Sequence, residues 1–77
     1  TMPPKLPIVS GEQTIRVLGR LGFVRVRQRG SHVVLKKQAP DGELICIVPL
    51  HKELAVGTLR SILRQAKVTR EDFVTHL

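Results

Sequence analysis

Between Gly22 and Pro49 the chain is cut three times, and the cuts leave little choice of fold. Gly22 supplies a left-handed stop, Arg29-Gly30-Ser31 reads as a tight turn, and Pro40-Asp41-Gly42 joins a residue that presets one torsion to one that tolerates the next. The runs left between these breaks are strand-sized. Phe23 to Gln28 alternates, with Val24 and Val26 on one side and Arg25 and Arg27 on the other. That pattern predicts a strand with one packed face and one wet, basic face. His32 to Lys37 is the second strand, antiparallel to the first across the short turn. Leu44 to Val48 is the third and is apolar at every position, so it is either covered on both faces or waiting for a partner. Pro49 ends it.

Helical patterns flank this meander. Ser10 reads as an N-cap, and Gln13 completes a capping box for a helix from about Gly11 to Leu21. Val17, Leu18 and Leu21 face inward, Ile15 lies at the margin, and Arg16 and Arg20 share a side. Leu50-His51-Lys52-Glu53 is a connector to a second helix that starts near Ala55. There Leu59, Ile62, Leu63 and Ala66 form a core stripe, opposite Arg60, Arg64 and Lys67. Gly57 either offers backbone donors to a phosphate together with Thr58 or lets this helix pack closely, and close packing is the preferred reading. Thr69 caps a short terminal helix, with Asp72 at its third position and Phe73 and Leu77 one turn apart.

Residues 1–9 carry three prolines and are expected to be extended, with Ile8 and Val9 against the domain; Thr1 ahead of Met2 reads as a cloning remnant. The whole is one α+β domain over residues 1–77. Its three-stranded antiparallel sheet carries two helices on one face, and Arg25 and Arg27 on the other.

A chain of 77 residues has room for one core only. Thirteen Lys and Arg against six Asp and Glu give a formal charge of +7, which favours an anionic partner, nucleic acid before a membrane surface. Phe23 and Phe73 are the only aromatic side chains, so base stacking on rings is a poor expectation. The lone Cys46 has no internal disulfide partner and reads as a small buried side chain. With neither a leader-like start nor an apolar run of membrane-spanning length, the expected location is cytoplasmic.

The chemistry narrows by elimination. There is no phosphate-binding glycine loop, His32, His51 and His76 lack zinc spacing, and the acids sit mostly at caps and turns rather than in a two-metal cluster. Neither a metal nor another cofactor is called for. Ser31 and His32 are neighbours, and adjacent strand residues point to opposite faces, so Ser31 is no serine nucleophile; its expected bond is to the turn backbone. His32 is different. RNA carries its own nucleophile, the 2′-hydroxyl, and its cleavage needs a base for that proton and cations for the phosphate. Histidine is the side-chain type suited to such transfer near neutral pH. Position and composition alone nevertheless leave His32 more simply read as a hairpin histidine that only hydrogen-bonds its turn. Arg25, Arg27, Arg29, Lys36 and Lys37 line the same hairpin, either as solvated strand faces or as a phosphate-binding strip.

Taken in order, Leu21-Gly22-Phe23, Arg27-Gln28-Arg29-Gly30-Ser31-His32, Val48-Pro49-Leu50-His51 and Gly57-Thr58-Leu59-Arg60-Ser61-Ile62-Leu63 resemble the HicA family of toxins, from about Lys5 to the C-terminus. The resemblance implies an α-β-β-β-α fold like the double-stranded-RNA-binding domain. It also implies an endoribonuclease that cleaves mRNA until a HicB-type antitoxin neutralises it. The family's essential histidine corresponds to His32; the RNA-binding set expected around it comes from the hairpin's own residues, Arg25, Arg27, Arg29, Ser31, Lys36 and Lys37, of which Arg27, Arg29 and Lys36 would hold the scissile phosphate. Pro49-Leu50-His51 matches the family's Pro-x-His without a catalytic role for His51 being carried over. This sequence departs at Lys67, where members often end the second helix with glycine, and at Val33-Val34, where many are more polar or aromatic. Two other readings stand beside it: a module that binds structured RNA without cutting it, and a protein whose main task is docking to a partner over its apolar third strand.

Overall fold

The computed structural model describes residues 5–77, so the readings of Thr1, Pro3 and Pro4 fall outside the described residues. Helix α1 spans Gly11–Arg20, strands β1, β2 and β3 span Val24–Arg29, His32–Ala39 and Gly42–Pro49, and helices α2 and α3 span Val56–Ala66 and Arg70–Thr75. The strands form one antiparallel sheet in the order β1-β2-β3. This is the α-β-β-β-α arrangement of the double-stranded-RNA-binding-domain-like fold, as the sequence predicts.

Helix α1 begins and ends as its residues dictate. Gln13 N–H donates to Ser10 Oγ over 3.0 Å, and Ser10 N–H donates to Gln13 Oε1 over 2.8 Å. At the other end Gly22, at φ +101°, lets Phe23 N–H reach the Leu18 carbonyl over 2.9 Å and its own N–H reach that of Gly19 over 3.1 Å. Thr14, a polar residue absent from the predicted core, is fully buried; its hydroxyl donates to the Ser10 carbonyl over 2.9 Å. Val9 is buried before the helix and its carbonyl accepts from Leu54 N–H over 2.8 Å, whereas Ile8 stays exposed.

Cross-strand partners share a face of the sheet. Val33 pairs with Val48 and Leu35 with Cys46, and all four are buried under Val17 and Leu18 of α1 and the expected stripe of α2. Phe73 of α3 completes this core, and Arg20 ties α1 to α3 by donating to the His76 carbonyl over 2.6 Å. Thr69 caps α3 as predicted, accepting from Asp72 N–H over 3.1 Å. Leu77, by contrast, is exposed.

Two further expectations change, and one open choice is decided. Of the two forms open to strand β3, double coverage is excluded and an apolar face is left open: Cys46 and Val48 are buried, while Ile45 and Ile47 stand 47% and 49% exposed. Strand β1 has no packed face, because Val24 and Val26 are 62% and 49% exposed and every residue of the strand is open. The cause is an irregularity in register between Arg25 and Arg27, which inserts Val26 as an extra residue and turns the edge strand off the core. Gly57 serves no close packing, since a Cβ there would meet nothing within 4 Å.

Helix α2 ends on Lys67, whose φ of +55° and ψ of +41° are left-handed; Val68 N–H reaches the Leu63 carbonyl over 2.9 Å and Lys67 N–H that of Arg64 over 3.2 Å. A lysine thus holds a position that glycine adopts without strain.

Candidate functional site

The site is built from the turn between β1 and β2. Gly30, at φ +57°, is the first of two central residues and Ser31 follows without a positive φ, the torsion pattern of a type II′ hairpin turn. Gln28 steadies it by donating from Nε2 to the Gly30 carbonyl over 2.9 Å. The expected bond from Ser31 to the turn backbone is replaced by this one, because Gln28 sits on the adjoining strand with an amide long enough to reach. Ser31 contributes through its carbonyl, which accepts from Leu50 N–H over 2.7 Å.

That bond has two consequences. It makes Ser31 and Leu50 a hydrogen-bonded pair, and antiparallel pairs alternate. His32 and its partner Pro49 are therefore a non-hydrogen-bonded pair, with their side chains close on the same face. The bond also anchors the Pro49-Leu50-His51 segment, which is held from a second direction by Gly11 N–H donating to the His51 carbonyl over 2.9 Å. Helix α1 approaches so closely here that a Cβ on Gly11 would lie 2.0 Å from the Pro49 carbonyl oxygen. The Pro-x-His segment is thus a backbone brace between the start of α1 and the turn.

Register then sorts the hairpin cations. Arg29 pairs with His32, Arg27 with Val34, and Lys36 with Ile45, so Arg27, Arg29, His32 and Lys36 share the sheet face that no helix covers. His32 is exposed on it, and Val26, Arg27, Val34 and Lys36 line a shallow depression of about 250 Å³. The bulge separates Arg25 from Arg27, correcting the expectation of a common face. Arg25 pairs with buried Leu35, and its guanidinium donates to Gln28 Oε1 over 2.9 Å, which places both on the helix side. Lys37 is there too, with Nζ 5.8 Å from the Phe23 ring centroid. Lys36 faces Glu43 at 4.0 Å across exposed surface, a contact that leaves its charge largely available.

The open face is as apolar as it is basic. Val24, Val34, Ile45 and Ile47 lie between the cations, and the exposed members make a contiguous surface of the kind that marks binding sites. An alternation count in β1 could not find this, since the bulge shifts the phase; the unbroken apolar run of β3 was the signal. Among the described residues no group of three or more His, Cys, Asp or Glu side chains is placed to hold a metal ion. Cys46 is on the helix-covered side, where burial pushes its thiol up to about 11. No described helix is long and apolar enough to cross a membrane.

Residues 11–68 match a sequence family described as the HicA toxin of bacterial toxin-antitoxin systems. No curated protein matches the chain.

Proposed function

The chain belongs to the HicA family of toxins of bacterial toxin–antitoxin systems, and from that premise we propose that it is a metal-independent endoribonuclease acting on mRNA. The observation that supports this most is the sharing of one uncovered sheet face by His32, Arg27, Arg29 and Lys36. In the reaction, His32 accepts the proton of an RNA 2′-hydroxyl. The 2′-oxygen bonds to phosphorus while the bond to the 5′-oxygen breaks, and a proton reaches that leaving oxygen. The products are a 2′,3′-cyclic phosphate and a 5′-hydroxyl. Arg27, Arg29 and Lys36 hold the phosphate and stabilise the charge that gathers on it. His51 follows the cross-strand partner of His32 by two positions and is the candidate donor to the leaving oxygen. Arg25 and Lys37 face the other side of the sheet and would meet RNA only where it passes over the β1 edge.

A HicB-type antitoxin is the protein partner in this reading, covering the apolar and basic open face and excluding RNA from His32. Exposed Val24, Val26, Ile45 and Ile47 support a protein partner there, since RNA has little use for aliphatic surface. Because the substrate is mRNA, the site of action is the cytoplasm.

The test is incubation of the purified protein with RNA in the presence of a chelator, beside His32→Ala, with the product ends identified. Cleavage by the wild type and none by the variant is expected. Loss of wild-type cleavage with chelator, or full cleavage by His32→Ala, would sink the proposal. Salt-sensitive binding of RNA that is recovered intact would favour the non-catalytic module instead.

A further inference from the structure

Away from the sheet, on the outer side of α2, two adjoining cavities of about 330 and 260 Å³ share Leu6, Arg60 and Arg70 and so form one groove. Its rim is cationic: Lys5 and Arg70 from either end, and Arg60 and Arg64 one turn apart on α2. Its floor is aliphatic, made by Leu6, Val56, Leu63 and Val68. No acidic residue lines it, and among the described residues none of the four rim cations has a carboxylate within 4.0 Å. The groove turns away from the sheet, because α2 presents Leu59, Ile62, Leu63 and Ala66 to the core, and only the margin of Leu63 borders the groove.

We propose that this groove docks an acidic peptide segment of a partner protein, one that seats apolar side chains on the floor and sets carboxylates against Arg60, Arg64 and Arg70. Two physical terms select that chemistry. The unpaired positive rim attracts an anion, and guanidinium groups grip carboxylates in a planar, bidentate manner. The aliphatic floor rewards buried hydrocarbon, which a peptide carries beside its carboxylates and a phosphodiester strand does not. A second copy of this chain, at a formal +7, is repelled. Since the groove and the His32 face lie on opposite sides of the helix layer, a docked segment leaves that face uncovered, and the inference stands whether or not His32 cuts RNA.

The probe is a fluorescein-labelled synthetic peptide of alternating Leu and Glu clusters, titrated by anisotropy into the full chain. Its control has every Leu replaced by Ser. Two double variants with the same change in net charge separate place from charge: Arg60→Glu with Arg70→Glu in the groove, and Arg27→Glu with Arg29→Glu on the open face. The groove pair is expected to weaken binding by about tenfold or more, as is the Leu-to-Ser control, while the open-face pair shifts it by less than about threefold. The groove pair keeps the wild-type circular dichroism and the wild-type rate of RNA cleavage. Should that pair unfold the chain, Arg60→Gln and Arg70→Gln taken singly are each expected to weaken the peptide. Equal losses in the two pairs, or unchanged binding of the Leu-to-Ser control, would reduce the effect to net charge and overturn the proposal. Displacement of the probe by a short RNA, or by vesicles rich in anionic lipid, would also overturn it.

Discussion

Replacing Gly11 by alanine is a demanding test of the brace beneath the His32 turn. The new Cβ would stand 2.0 Å from the Pro49 carbonyl oxygen, 2.9 Å from its carbon and 3.0 Å from the Leu50 Cα. All three are backbone atoms, so no side-chain rotation relieves the clash, and α1 must part from the segment after β3. Overpacking of this kind costs about 1–3 kcal/mol. Parting the surfaces also strains the Gly11–His51 bond of 2.9 Å and the Leu50–Ser31 bond of 2.7 Å, each worth about 1 kcal/mol. Against this, alanine restricts the unfolded chain and returns about 0.4–1 kcal/mol. The net loss is about 2–4 kcal/mol, which for a domain of this size lowers Tm by at least about 10 °C. Gly19, on the same helix, is the internal control: a Cβ there meets nothing within 4 Å, so Gly19→Ala is expected to raise stability by about 0.4–1 kcal/mol. Urea unfolding and thermal melts of both variants decide the matter. If Gly11→Ala lies within about 0.5 kcal/mol of wild type, the helix does not bear on Pro49 as described. RNA cleavage at a temperature where Gly11→Ala is folded should fall as well, because the loosened segment no longer holds the Ser31 carbonyl.

Other expectations are more local. Lys67→Gly removes a side chain from a left-handed torsion and should stabilise the chain by about 1 kcal/mol, read as a rise in urea midpoint; a lower midpoint would mean that the lysine stem contributes packing that outweighs its strain. The Cys46 thiol, at 9.0 in the free state and about 11 when folded, keeps in the native state a proton that the unfolded chain releases. Its contribution is therefore complete below pH 9 and is lost toward pH 11, at up to about 1.4 kcal/mol per pH unit. Cys46→Ala should flatten that decline relative to wild type, and parallel stability curves would refute the assignment. Arg27→Ala should weaken RNA binding and lower the slope of log K against log salt by about 0.7, one phosphate's worth on a single strand; an unchanged slope would remove Arg27 from the interface.

Much of this fold could be read directly because its signals are local. The capping box at Ser10 and Gln13, the stop at Gly22, the Thr69 cap and the stripe from Leu59 to Ala66 each depend on a few neighbouring residues, and each is formed as expected. What was missed depends on partners distant in sequence. Thr14 is buried because of where α1 lies, not because of its own type, and the bulge at Val26 is visible only when β1 is laid against β2. The same bulge divided the hairpin cations: Arg27, Arg29 and Lys36 join His32, while Arg25 and Lys37 pass to the helix side. His51 carried the right motif for a reason the motif alone does not state, since it is its carbonyl that holds α1.

The brace also sets a timetable. As the chain is synthesised, the Gly30-Ser31 turn is available early, yet the Leu50 N–H that fixes its carbonyl arrives only after all of β3 has been made. The contact with Gly11 then reaches back to the first turn of α1. Such long-range closures form late, after the loop they span has given up its entropy. The corner that holds His32 is therefore completed only after β3 has been made, and a chain emerging from the ribosome with β3 still unmade lacks it.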